Sequence, residues 1–201
     1  MDADGRRSTP LITGVVLAGG QGRRMGGVDK GLKLLRGQPM VQWAIERFAP
    51  QVDEILINAN QNLDTYAAFG HRVIPDAIGG FAGPLAGLHR GLSEARHGLV
   101  ATVPCDSPFL PADLVTRLLA AMQKDGAELS VARTGDQPHP VFCVCRKTVL
   151  PGLTSFLESG GRKIDAWYSA LKVAEVPFDD QADAFSNINT EAELRGAEGR
   201  Q

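Results

Sequence analysis

Residues 14–30 read GVVLAGGQGRRMGGVDK. The stretch opens on a short apolar run, Val15-Val16-Leu17, rich in β-branched side chains, the pattern of a strand buried on both faces. The run stops at Ala18-Gly19-Gly20, and Gly22, Gly26, Gly27 and Gly31 follow closely. Glycines at this density let the backbone approach a ligand with no Cβ in the way. Arg23, Arg24 and Lys30 stand among them. Bare N–H groups and three cations directly after a strand describe a site for a polyanion, a phosphate chain foremost. Two familiar phosphate loops do not fit. A Walker loop needs Gly-Lys-Ser/Thr, whereas Lys30 lies between Asp29 and Gly31. The dinucleotide pattern fails from Gly20, because Met25 stands where its third glycine belongs.

Outward from this loop the chain alternates between strand and helix patterns. Helical spacing of apolar residues over Pro39–Phe48, with Pro39 in the first turn, is followed by a buried strand over Asp53–Ala59. A short helix, Leu63–Phe69, ends at Gly70, and a brief strand, Arg72–Ile74, runs into Pro75-Asp76. A turn-rich connector, Gly79 to Pro84, leads into a helix reaching about Ala95. The strand Leu99–Val103 then ends in Pro104-Cys105-Asp106-Ser107-Pro108, and a helix opened by Pro111 runs to Met122. Such alternation predicts an α/β fold, a three-layer αβα sandwich around a mostly parallel sheet of Rossmann-like type. Ligands of these sheets bind beyond the carboxyl ends of the strands. The glycine loop, Asn58, Asp76 and Asp106 all fall at such ends.

The rest is less regular. Strands are expected at Leu129–Ala132 and at Val141–Cys145, the latter entered through Gln137-Pro138-His139-Pro140. Helices follow over Thr148–Leu157 and from the Gly160-Gly161-Arg162-Lys163 break to Ala170, then a last strand over Lys172–Val176. Phe185–Asn189 reads as a loop, and Thr190-Glu191-Ala192-Glu193 as a capping box for a terminal helix. One domain over residues 11–195 is expected, with 1–10 and 196–201 as tails.

A length of 201 residues and a hydrophobic fraction of 43% suit one globular domain with a sizeable core. A net charge of −2 gives no support for a nucleic-acid or membrane partner. No apolar run is long enough to span a bilayer, and the polar N-terminus lacks the apolar segment of a signal peptide. The three cysteines, Cys105, Cys143 and Cys145, fit neither a disulfide framework nor a metal pair. They read as buried thiols in a reducing, cytoplasmic compartment.

Asp106 lies between two prolines that limit its local conformations, so its carboxylate is held. A fixed carboxylate beside a phosphate site suits Mg²⁺, which takes hard oxygen ligands and shares its shell with water and phosphate. The alternative is an Asx-turn that only organises the chain. Lys30 offers an ammonium for the charge of a triphosphate, with Arg23 and Arg24 competing for that role. Asn58 and Asp76 have the chemistry to read a base, since an amide donates and accepts while a carboxylate accepts from the N–H groups of guanine. Each could equally terminate its strand. A lone histidine such as His139 is more often structural. Arg162 and Lys163 form either a cationic grip or a surface pair at a helix start.

The run Leu17-Ala18-Gly19-Gly20, then Arg24-Met25-Gly26 and Asp29-Lys30, resembles the loop of the nucleotidyltransferases with a Rossmann-like fold, and more narrowly that of the molybdenum cofactor guanylyltransferases. Cys105-Asp106-Ser107-Pro108 matches the metal-binding motif of the same family, and the likeness runs from about Gly14 to Leu194. The resemblance implies transfer of GMP from GTP to molybdopterin carrying molybdenum, with release of pyrophosphate. It implies Mg²⁺ on Asp106, with Asp106, Lys30 and Arg24 as the catalytic set. GTP would lie against Leu17, Ala18, Gly19, Gly20, Lys30, Asn58, Asp76 and Asp106. The pterin side would be His139, Arg162, Lys163, Asn187 and Asn189. The family's Asn-Val-Asn-Thr-Pro segment appears here with Ile188 and without its proline, Glu191 standing instead. Molybdoenzymes or their chaperones would receive the product. The rivals are a CTP-dependent cytidylyltransferase acting on the pterin or on a sugar or polyol phosphate, and a non-catalytic nucleotide-binding module. Ala18-Gly19-Gly20 and Cys105-Asp106-Ser107 point to the guanine branch, and an intact Lys30 and Asp106 speak against mere binding.

Overall fold

The computed structural model describes residues 10–20, 29–78 and 83–199. Arg23, Arg24 and the glycines between them and Asp29, like Gly79–Ala82 of the connector, lie outside the described residues.

The elements in chain order are β1 (Ile12–Leu17), β2 (Leu34–Leu35), β3 (Gln38–Pro39), α1 (Met40–Phe48), β4 (Glu54–Asn58), α2 (Leu63–Ala67), β5 (Arg72–Ile74), α3 (Pro84–Glu94), β6 (Leu99–Pro104) and α4 (Leu114–Asp125). There follow β7 (Leu129–Thr134), β8 (Gln137–Arg146), α5 (Leu150–Glu158), α6 (Ile164–Tyr168), β9 (Val173–Pro177) and α7 (Glu191–Glu198). The main sheet has the order β5-β4-β1-β6-β8-β7-β9. Strands β5, β4, β1 and β6 pair in parallel, β8 is antiparallel to both β6 and β7, and β7 is parallel to β9.

Alternation of side chains across the strands builds two apolar layers. Val16, Ile57 and Val103 face α1 and α4, where Phe48 and Met122 are fully buried. Val15, Leu56 and Val100 face the other way, onto Leu85 and Leu92 of α3 and Leu153 of α5. The mostly parallel three-layer sandwich expected from the alternation is therefore present. The chain grows outward from β1 to β4 and β5, then crosses to β6 on the other side of β1. That reversal opens a crevice beyond the carboxyl ends of the central strands, where such sheets bind ligands.

Several local expectations need correction. Strand β8 begins at Gln137 and so includes the Pro138-His139-Pro140 segment read as its approach. Prolines are tolerated there because β6 pairs only with Cys143–Arg146, leaving the first half of β8 with β7 alone, across a bulge at Val131/Ala132. Pro39 closes β3, and α1 starts one residue later. The β2–β3 hairpin was not expected; its turn places Arg36 at φ 54 and Gly37 at φ 79. Helix α7 runs through Gly196 to Glu198, because Leu194 and Ala197 pack with Leu35, Met40 and Ile188.

Candidate active site

Beyond the carboxyl ends of β1, β4, β5 and β6 lies a cavity of about 490 Å³. Leu17, Ala18, Gly19 and Gly20 form one wall, Asn58, Asn60 and Asp76 a second, and Asp29, Lys30, Cys105, Asp106 and Asn187 a third. Gly83 and Pro84, at the start of α3, complete it together with Pro104 and Val141.

The end of β1 is tied to both neighbours. The N–H of Ala18 donates to the carbonyl of Asn58 at 2.8 Å, and that of Cys105 donates to the carbonyl of Leu17 at 3.0 Å. With the Ala18 N–H committed, Gly19 and Gly20 are the residues of this wall whose N–H groups have no hydrogen-bond partner among the described residues. A Cβ on Gly20 would meet nothing within 4 Å, which leaves this backbone open to a ligand.

Asp106 lies two residues beyond the end of β6, and its side chain is 14% exposed. Burial pushes its carboxyl above the usual aspartate range, and the Lys30 charge opposes that rise. Lys30 starts a single 3₁₀ turn over Lys30–Leu32, and its ammonium lies 3.5 Å from Asp106 Oδ2 while donating to Asn189 Oδ1. The loop carrying Asn187 and Asn189 is pinned to this corner. Ile188 N donates to the Asp106 carbonyl at 2.9 Å, and Ser107 Oγ donates to Asn187 Oδ1 at 2.7 Å. Glu193, third residue of α7, accepts from the N–H groups of Asn189 and Thr190 at 2.7 and 2.9 Å, as a capping box does.

Among the described residues no three His, Cys, Asp or Glu side chains gather closely enough to cage a metal. One carboxylate beside a phosphate-sized cavity suits Mg²⁺, which keeps most of its shell as water and phosphate oxygens. Cys105 is a soft sulfur donor, which suits Mg²⁺ poorly, and burial pushes its thiol pKa up.

On the opposite wall Asn58, 3% exposed, donates from Nδ2 to the Ile74 carbonyl at 3.1 Å and to Asp76 Oδ1 at 2.8 Å. Asn60 Nδ2 donates to Asp76 Oδ2 at 2.8 Å, and the Asp76 N–H returns a bond to Asn60 Oδ1 at 2.8 Å. Both oxygens of Asp76 are thus held by amides. The close approach of α3 to this wall depends on Gly87, where a Cβ would lie 2.3 Å from Asn58 Oδ1 and 2.6 Å from Leu17 Cδ2.

A family model described as MobA-like NTP transferase domain matches residues 14–173. A molybdenum cofactor guanylyltransferase of Cupriavidus pinatubonensis is 51% identical over 189 residues, 92% of this chain and 94% of that one. The chain belongs to the molybdenum cofactor guanylyltransferases. Another member, from Cupriavidus taiwanensis, is 50% identical over 194 residues, covering 94% of this chain and 97% of that one. A crystal structure of molybdopterin-guanine dinucleotide biosynthesis protein A from Archaeoglobus fulgidus aligns with a TM-score of 0.78 at 25% identity, over 94% of this chain and 97% of that one. The chain is an enzyme, a nucleotidyltransferase.

In this guanylyltransferase the cavity lining unites Leu17, Ala18, Gly19, Gly20, Lys30, Asn58, Asp76, Asp106 and Asn187, and Asn189 joins them through Lys30. Arg24 lies outside the described residues. His139, Arg162 and Lys163 are not part of the lining. The His139 ring stacks on Phe185 with centroids 4.9 Å apart and its Nε2 lies 2.8 Å from Thr134 Oγ1. Burial lowers its pKa, which favours the neutral ring. Arg162 donates to the carbonyls of Leu157 and Gly161 at 2.9 and 2.7 Å, satisfying groups at the end of α5. Lys163 is exposed at the start of α6. The lining also holds Asn60 and Asp29, which the sequence reading did not single out as site residues. Asn58 and Asn60 alternate along an extended chain and so face one side, a signal that was present.

Proposed function

We propose that this chain transfers the GMP of GTP to the terminal phosphate of molybdopterin carrying molybdenum, and that both substrates meet in the cavity beyond β1 and β6. The convergence of Lys30, Asp106 and Asn189 on one corner, beside an open glycine backbone, is the observation that carries this reading. The names of the curated relatives support the substrates.

An oxygen of the pterin phosphate attacks the α-phosphorus of GTP in line. A new P–O bond forms as the bond to the bridging oxygen of the β-phosphate breaks, and pyrophosphate leaves with that electron pair. The attacking phosphate is already ionised near neutral pH, so no general base is required. The protein's contribution is position and charge. The N–H groups of Gly19 and Gly20 cradle the phosphate chain, and Lys30 offsets charge on the departing pyrophosphate, with Arg24 beside it on the strength of the motif. Asp106 would hold the divalent cation, and the donor chemistry favours Mg²⁺, which offsets charge on the α-phosphate when bound. Asn58 and Asp76 form the base or ribose wall. Asn187 and Asn189, pinned beside Asp106 and Lys30, are assigned to the pterin phosphate. The three cysteines are free and buried, which suits the reducing cytoplasm.

Pyrophosphate release measured with GTP, ATP, CTP and UTP in the presence of molybdopterin tests the reading. Turnover with GTP is expected and turnover mainly with CTP would overturn it.

A further inference from the structure

Asp29 poses a problem for a site built for phosphates. It contributes a carboxylate to the lining of a cavity that must accept a polyanion, and an unpaired carboxylate there would repel the ligand. Three donors among the described residues hold the carboxylate. Oδ1 accepts from the Tyr66 hydroxyl at 2.6 Å and from the Gly31 N–H at 3.2 Å, and Oδ2 accepts from Asn62 Nδ2 at 3.1 Å. Tyr66 is 0% exposed, so its hydroxyl has no access to water and its donation to Asp29 is the bond that satisfies it. Burial, together with the Asp29 carboxylate, drives its pKa far above the usual phenol value, so the proton stays on the tyrosine.

The geometry around this group is tight. Asp29 is the N-cap of the turn that begins at Lys30, and the bond from Gly31 N brackets the lysine between two fixed residues. A Cβ on Gly31 would lie 2.6 Å from the Tyr66 hydroxyl and 3.1 Å from Cys105 Sγ, so the turn is pressed against both. Asn62, the N-cap of α2, takes φ 52, a left-handed conformation that asparagine tolerates, and its amide reaches the second oxygen of Asp29.

We propose that Asp29 and Tyr66 are positioning residues which, with Asn62, lock the turn bearing Lys30 so that its ammonium is aimed at the outer phosphates of GTP. This rests on the assignment of Lys30 made above. Tyr66 acts through Asp29 and the turn, without touching substrate. It anchors the turn to α2, an element that otherwise contributes nothing to the cavity lining.

The test is calorimetric titration of GTP and GMP into the full chain and into Tyr66→Phe, Asp29→Asn, Lys30→Ala and Tyr66→Phe/Lys30→Ala, with thermal melts of each. Tyr66→Phe keeps the buried ring and removes only the hydroxyl. It is expected to weaken GTP about 3- to 10-fold, less than loss of the charged Lys30 bond itself, to leave GMP within about twofold, and to add no further loss in the Lys30→Ala background. Asp29→Asn should show the same selectivity for GTP. If Tyr66→Phe and Asp29→Asn weaken GTP and GMP alike, or if the Tyr66→Phe and Lys30→Ala losses add independently, the positioning role is wrong even though Lys30 still discriminates. If Lys30→Ala itself weakens both nucleotides equally, the Lys30 assignment falls and the positioning role falls with it.

Discussion

Lys30 Nζ lies 3.5 Å from Asp106 Oδ2, across 76 positions of sequence. Lys30 opens the 3₁₀ turn Lys30–Leu32 and Asp106 lies two residues beyond β6, which pairs in parallel with β1. Both are partly withdrawn from water, with side chains 23% and 14% exposed. Their opposite charges therefore compensate one another.

The Asp106→Asn variant is expected to lose at least about 100-fold in turnover, the scale of removing a group that acts on charge developed in the transition state. GTP affinity should survive in part, because the amide keeps the shape and Lys30 remains. Single-turnover assays with equilibrium binding separate the two effects. Near-normal product formation at ordinary Mg²⁺ would remove Asp106 from the metal assignment.

Lys30→Ala is expected to weaken GTP binding more than GMP binding, since GMP lacks the outer phosphates. A charged hydrogen bond is worth about 1.5–3 kcal/mol, so GTP affinity should fall by at least about tenfold. Equal losses for the two nucleotides would move the lysine to the base, the ribose or the α-phosphate.

Asp76→Ala is expected to lower the preference for GTP over ATP and CTP while leaving the Mg²⁺ dependence unchanged. Discrimination needs buried groups that the wrong base leaves unpaired. Loss of Asp76 also frees the amides of Asn58 and Asn60, each held at 2.8 Å from it. The readout is kcat/KM for the three nucleotides. A uniform fall would return Asp76 to ribose contact or to strand termination.

The acid stability of the fold carries a histidine component. Burial lowers the pKa of His139, and of His71 and His89 as well, so the folded chain refuses protons that the unfolded chain accepts. Stability must then fall as pH drops through the ordinary histidine range, from about 7 to 5. Replacing His139 with Gln should flatten part of this slope in urea unfolding across that range. A slope identical to that of the parent would show that His139 titrates normally.

What could be read from the chain follows from how each feature is encoded. Strands β1, β4 and β6 are buried on both faces and announce themselves as apolar runs, and Asp106 is marked by the prolines around it. The carboxyl-edge placement of Asn58 and Asp76 then needs only the parallel order. The β2–β3 hairpin has two residues per strand, too few for any periodicity. The burial of Ala197, which extends α7 past Gly196, depends on contacts with Leu35 and Met40 far back in the chain. The carbonyls that Arg162 meets at the end of α5 and the Phe185 ring beside His139 are tertiary neighbours that spacing does not reveal. Tyr66 is hidden for the same reason: its partner Asp29 is 37 positions away.

Gly87→Ala provides a test of the nucleotide wall that leaves every polar group in place. Gly87 lies inside α3, where alanine is ordinarily the better helix former by about 1 kcal/mol. That gain is overridden here, because the added Cβ would stand 2.3 Å from Asn58 Oδ1 and 2.6 Å from Leu17 Cδ2. Asn58 cannot simply swing aside, since its Nδ2 is held by the Ile74 carbonyl and by Asp76. Either α3 moves off the sheet or the Asn58–Asp76 pair is displaced, at a cost of about 1–3 kcal/mol for overpacking. The variant should therefore melt below the parent and lose GTP affinity, with the loss shared by GMP if the displaced wall meets base or ribose as proposed. A melting temperature at or above the parent's, with unchanged affinity for both nucleotides, would show that α3 has room to retreat and that Asn58 is not fixed by it.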